Sequence, residues 1–169
     1  MERLFFKGEE VHTYGSLPAV GTDAPEFSLA GAALNKVTLA DYAGKNVVLN
    51  IFPSLDTEVC ARSVRRFNEE AAALADTVVL CVSMDLPFAM GRFCTAEGIK
   101  DVTPASAFRS PEFAKDYGVL MVDGPLHGLL ARAVIIIDKE GKISYRQLVE
   151  EITDEPDYDA ALRVLKGKY

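Results

Sequence analysis

The chain carries three cysteines, Cys60, Cys81 and Cys94, and they are the side chains with most to offer chemically. A thiolate is the nucleophile and the thiol is not, so the question for each is what would ionise it. Cys60 follows the turn Pro53-Ser54-Leu55-Asp56-Thr57 and opens a helical stretch. At such a strand-to-helix turn the unpaired N–H groups and the positive end of the helix dipole favour an anion over a neutral thiol. Thr57 stands where an N-cap residue is expected, and Pro53 ends the preceding strand and shields the turn. Position alone, however, explains Cys60 equally well as a small apolar residue on the inner face of its helix. Cys81 lies inside an apolar run and reads as core. Cys94 lies near the end of its own helical stretch, where fraying is easy. The three form neither an even disulfide framework nor a zinc pattern with short gaps.

The elements that must position these residues are legible from periodicity. Residues 47–52 are a nearly continuous apolar run, as in a strand covered on both faces. Apolar or small residues at Cys60, Val64, Phe67, Ala71 and Leu74 recur at helical spacing. A second buried strand is expected at 77–83, and a Pro87-started helix through 97 is stopped by Gly98. A strand at 102–105, a short helix at 111–117, strands at 131–137 and 143–148 around the Asp138-Lys139-Glu140-Gly141 turn, and a closing helix at 157–166 follow. Upstream, residues 18–45 read as loops and short strands around 27–29 and 37–39. Residues 3–6 and 11–14 read as a hairpin about the Lys7-Gly8-Glu9-Glu10 turn. The order fits an α/β thioredoxin-like fold, a central mixed sheet flanked by helices, with an N-terminal β-hairpin. One domain over 1–169 is expected, with 1–17 as a hairpin extension.

At 169 residues and 49% hydrophobic content, one ordinary core is the natural expectation. A net charge of −7 repels nucleic-acid phosphates and anionic lipid, so neither nucleic acid nor membrane is an expected partner. The apolar stretch after Met1 breaks at Lys7, too short for a secretory core or a span, which points to the cytoplasm. His12 and His127 have no cysteine at ligand spacing, so no metal site is expected and both should be solvated. Tyr117, Met121 and Leu126 are expected to pack more than to border a pocket.

The segment Pro53-Ser54-Leu55-Asp56-Thr57-Glu58-Val59-Cys60 carries the pattern Pro-x-x-x-Thr-x-x-Cys, and in it the chain resembles the peroxiredoxins. The resemblance runs through Val20-Gly21-x-x-Ala24-Pro25-x-Phe27, Arg92-Phe93-Cys94 and Gly128-Leu129-Leu130-Ala131-Arg132-Ala133, and so covers nearly the whole chain. The hairpin and the tail at 151–158 are similar to the thiol peroxidase subfamily of atypical two-cysteine enzymes. The resemblance implies that Cys60 is the peroxidatic nucleophile, Thr57 hydrogen-bonds the peroxide, Arg132 holds thiolate and peroxide oxygens, Pro53 shields the site and Cys94 resolves. It also implies an intramolecular Cys60–Cys94 disulfide reduced by thioredoxin, hydrogen peroxide and organic hydroperoxides as substrates, a homodimer, an antioxidant role and no bound cofactor. A dithiol oxidoreductase would need Cys-x-x-Cys, and the chain has Cys60-Ala61-Arg62-Ser63. A peroxide-sensing protein with the same bridge stays open; turnover separates the two.

Ionisation alone does little for such a thiol. With an ordinary pKa of about 8.5, roughly 3% is thiolate at pH 7, and lowering that value by about two gains roughly 25-fold. A Brønsted slope of about 0.4–0.5 returns roughly eightfold of it. Donors that orient the peroxide and stabilise the departing oxygen must do more, which points to Arg132, Thr57 and the Cys60 N–H. Closing a disulfide needs Cα atoms within about 7 Å, so at least one of the two cysteine helices is expected to unwind locally.

Overall fold

The computed structural model describes residues 1–167. From residue 46 onward strands and helices alternate as the periodicity predicts: β5 (Asn46–Ile51), α1 (Glu58–Glu70), β6 (Thr77–Ser83), α2 (Pro87–Glu97), β7 (Thr103–Ser106), α3 (Pro111–Asp116), β8 (Ala133–Ile137), β9 (Ile143–Leu148) and α4 (Tyr158–Leu165). Ahead of them lie β1 (Arg3–Phe6), β2 (Glu9–His12), β3 (Ser28–Gly31) and β4 (Lys36–Thr38). β3 to β9 form one seven-stranded sheet in the order β4-β3-β7-β6-β5-β8-β9, while β1 and β2 pair by themselves.

β5 lies inside the sheet, parallel to β6 and antiparallel to β8. Its side chains alternate between two apolar layers. Val48 and Phe52 join Val79, Cys81, Val134 and Ile136 under α1, α2 and α4. Val47, Leu49 and Ile51 join Leu80, Val82 and Ile135 against Phe27, Phe113 and Tyr117. Burial on both faces is why the strand reads as an unbroken apolar run.

The departures from expectation have local causes. The hairpin connection is only Lys7-Gly8, with φ of 51° and 83°, the positive pair whose twist suits a two-residue hairpin; Glu9 and Glu10 therefore enter the ladder opposite Phe6 and Phe5. Residues 39–42 form a short 3₁₀ turn instead of continuing a strand, with the Asp41 carboxylate accepting the Thr38 N–H at 3.0 Å. β8 begins at Ala133 and not at residue 131, because the Ala131 N–H donates to Val119 O at 2.8 Å instead of to the ladder. His12 is not free in solvent: its Nδ1 lies 2.7 Å from Asp123. Tyr117 and Met121 are fully buried packing residues, and Leu126 rests on the cluster of Leu4, Val11, Met121, Ala131 and Ile152 that seats the hairpin. Among the described residues no helix is long and apolar enough to cross a membrane.

Candidate active site

The chemistry-bearing residues gather at the carboxyl end of β5. Because β8 runs antiparallel with Ala133 opposite Ile51, the residue just before β8, Arg132, comes to the same sheet end as the loop that leaves β5. Pro53 is buried there at the start of that loop. Ser54 O accepts from the Thr57 N–H at 3.2 Å and from the Thr57 hydroxyl at 3.0 Å. Thr57 is the N-cap of α1 by position, in extended backbone conformation, but its hydroxyl donates backward to Ser54 and caps no N–H of the first helical turn. The expected capping bond is therefore absent, and the N–H groups of that turn are left without a side-chain cap.

Cys60 is the third residue of α1 and lies on its inner face with Ser63, Val64 and Phe67. It is 0% exposed, and Arg132, 3% exposed, donates from Nη1 to its Sγ at 3.1 Å. The same guanidinium donates from Nε to Ile152 O at 2.7 Å. The ion pairs of the described residues engage Arg3, His12, Arg62, Arg65, Arg66, Lys139 and Lys142 and leave Arg132 out. A buried guanidinium without a carboxylate is strongly disfavoured unless another anion accompanies it, and the group in reach here is the sulfur of Cys60. Tyr158 closes the neighbourhood, packed edge-on against Phe67 at 5.3 Å; burial, and then Glu155 beside it, pushes its hydroxyl upward in pKa, so it stays protonated.

All three cysteines are free thiols. Cys94 is half-buried on α2 and packs against the same apolar layer that holds Cys60, and burial pushes its thiol up in pKa. Cys81 is buried on β6 with Asn50 Nδ2 at 3.9 Å from its sulfur, and burial pushes it further into the neutral form, as a core thiol requires. The structure thus joins Cys60 to Arg132 directly, puts Pro53 and Thr57 on the adjoining loop, and leaves Cys94 on a separate helix. Among the described residues no cluster of His, Cys, Asp or Glu could hold a metal.

Sequence reasoning missed Asp85, which follows β6 and precedes α2. Its carboxylate accepts from Ser54 Oγ at 2.9 Å, Leu55 N at 2.8 Å and Ser83 Oγ at 2.6 Å. No local pattern marks it, since a lone acidic residue ahead of a helix is commonplace.

Residues 19–162 match the family model described as Redoxin. The chain is also 57% identical to a thiol peroxidase of Corynebacterium glutamicum over 165 residues, 98% of this chain and 99% of that one. The chain belongs to the thiol peroxidases of the redoxin family. A thiol peroxidase of Mycobacterium tuberculosis is 54% identical over the same length, again 98% of this chain and 99% of that protein. The crystal structure of a peroxiredoxin-like protein from Aquifex aeolicus superposes with a TM-score of 0.93 at 44% identity, covering 99% of this chain and 97% of that one. The peroxiredoxin-like form of the thioredoxin fold holds across the whole sheet.

Proposed function

We propose that this thiol peroxidase reduces hydroperoxides with the sulfur of Cys60 and resolves the product with Cys94. The observation that carries the reading is the 3.1 Å contact between the buried Arg132 Nη1 and Cys60 Sγ. In the first step the Cys60 thiolate attacks one oxygen of ROOH; the S–O bond forms as the O–O bond breaks, and the leaving RO⁻ takes up a proton to become the alcohol or water. Arg132 stabilises first the thiolate and then the charge on the departing oxygen. Since Cys60 is 0% exposed, the loop ahead of α1 must shift to admit the peroxide, and the Thr57 hydroxyl, now on Ser54 O, becomes available to it. Pro53, buried beside the loop, keeps bulk water out.

In the second step the Cys94 thiol condenses with the Cys60 sulfenic acid, forming the S–S bond and releasing water, before further peroxide can over-oxidise it. A dithiol of the thioredoxin type returns both thiols by exchange and itself becomes a disulfide. The chain works as one domain over 1–169, with 1–17 its hairpin extension, in a reducing cytoplasmic setting that suits three free cysteines. Exposed Leu86, Phe88 and Phe108, on segments tied together through Ser106, support pairing as a homodimer.

The test is NADPH oxidation coupled through thioredoxin and its reductase, with hydrogen peroxide and cumene hydroperoxide side by side. Wild type should turn over repeatedly, Cys60→Ser should consume nothing, and Cys94→Ser should stall and over-oxidise. Consumption that stops at one equivalent in the wild type would identify a sensor instead of a peroxidase.

A further inference from the structure

Asp85 stands at the junction of both cysteine-bearing helices. It is the residue before Leu86, the N-cap of α2, and it is fastened to the sheet: its carboxylate takes the Ser83 hydroxyl at 2.6 Å, and its carbonyl takes the Ser106 hydroxyl at 2.5 Å. From that fixed position the carboxylate reaches across to the loop ahead of α1, accepting the Ser54 hydroxyl and the Leu55 N–H. Ser54 passes the hold onward. Its Oγ accepts the Asp56 N–H at 3.1 Å, and its carbonyl accepts both donors of Thr57, whose own carbonyl takes the Ala61 N–H at 3.1 Å in the first turn of α1. A continuous chain of hydrogen bonds therefore runs from β6 through Asp85 to the N-cap three residues before Cys60.

The arms differ in what they must survive. β6 and β7 are core strands and have no reason to move, so the Ser83 and Ser106 bonds persist. Cys60 and Cys94 sit on separate helices, and Arg132 holds the Cys60 sulfur on the inner face of α1; bringing the two sulfurs into disulfide geometry takes the first turn of α1 and the loop before it out of place, so the Ser54 and Leu55 arms break. Both are charge-assisted, hence stronger than neutral bonds. The ground beside them is open: a cleft of ≈ 270 Å³ lies between loop and helix, lined by Leu55, Asp85, Ala89 and Phe93 among others.

We propose that Asp85 is a positioning residue that latches the loop before α1 to the sheet and sets how fast the Cys60 sulfenic acid reaches Cys94. The inference rests on the Cys60–Cys94 bridge proposed above. In Asp85→Asn the side chain keeps its shape but offers an NH₂ where one carboxylate oxygen accepted, so the Leu55 N–H or a serine hydroxyl loses its acceptor. Disulfide formation after one equivalent of hydrogen peroxide, followed by rapid quench, alkylation and mass spectrometry, should quicken about tenfold, the scale of one lost charge-assisted bond. The peroxide dose that over-oxidises half of Cys60 should rise with it, because over-oxidation competes with resolution. Ser54→Ala, which removes one arm, should move both readouts the same way by less. Val48→Ala in the core should lower Tm and leave both unchanged. A bridge that forms in wild type, with less than a twofold rise in rate in both latch variants, overturns the latch alone. An equal rise in Val48→Ala also overturns it, since general loosening would then suffice. A wild-type protein that makes no Cys60–Cys94 bridge overturns the underlying reading and the latch with it.

Discussion

Arg132 divides one guanidinium between two acceptors, Ile152 O at 2.7 Å through Nε and Cys60 Sγ at 3.1 Å through Nη1. The planar fork lets the first bond aim the second, and lysine, with one ammonium on a flexible stem, cannot reproduce this. Arg132→Lys should therefore keep its fold and charge but slow the single-turnover reaction of Cys60 with hydrogen peroxide by about 10²-fold, the scale of one lost oriented donor. A loss under threefold would mean that charge alone is enough. Cys60, Thr57 and Pro53 were legible because their pattern is packed into eight consecutive residues, and Arg132 only through the family resemblance of residues 128–133, since an arginine ahead of an apolar strand reads on its own as a cap of the sheet edge. The turn of the Thr57 hydroxyl toward Ser54 was not, since the residue type allows either bond. Asp85 was illegible for a different reason: its loop partners lie 31 and 30 positions away, and only the folded sheet brings them to it.

The two cysteine helices are held unequally. α1 buries Cys60, Ser63, Val64 and Phe67, and Arg62 and Arg66 reach Glu155 and Asp159 at the closing segment; α2 buries only Pro87 and Met90. The Arg65–Glu97 pair between them is exposed and adds little. α2 is thus the more loosely held helix along its length, while α1 gives way only at its first turn and the loop before it. The last turn of α2 is closed by Gly98, in left-handed conformation at φ 66°, with the N–H groups of Gly98 and Ile99 both donating to Cys94 O. A Cβ at Gly98 would meet nothing within 4 Å, so Gly98→Ala carries a purely conformational penalty of about 1 kcal/mol. Amide exchange across residues 94–99 should quicken about fivefold while the α1 core amides stay protected; uniform acceleration in both helices would contradict the unequal hold. The helices themselves were legible from apolar spacing in α1 and from Pro87 and Gly98 bracketing α2. The ends of β2 and β8 were not, because a ladder begins where its partner's hydrogen bonds allow and not where the apolar run does.

The largest span in the molecule joins its N-terminus to its active site. Phe5 N donates to Glu150 O at 2.7 Å and Ile152 N to Phe5 O at 2.8 Å, so the hairpin fixes the segment whose Ile152 carbonyl aims Arg132. The hairpin itself could be read from the sequence; this bracing could not, because it pairs residues nearly the whole chain apart. Glu151 fastens the hairpin turn, its carboxylate accepting from Gly8 N at 2.8 Å, Lys7 N at 3.2 Å and Thr153 N at 3.1 Å. Burial works against its charge, but the Thr153 and Gly8 N–H groups, the Thr153 hydroxyl and the Lys7 N–H together outweigh it and hold the carboxyl below the usual glutamate range. A carboxyl whose pKa is lower folded than unfolded stabilises the fold fully above the unfolded value, about 4.3, and that contribution is lost as pH falls through the lowered folded value. The Gly8 and Thr153 amide resonances should therefore titrate together with a midpoint below that of a free glutamate. Glu151→Gln should abolish the titration and, by loosening Ile152, slow the peroxide reaction severalfold at neutral pH while leaving α1 and β5 amides protected. A midpoint at or above the free value, or an unslowed variant, would detach the hairpin from the chemistry.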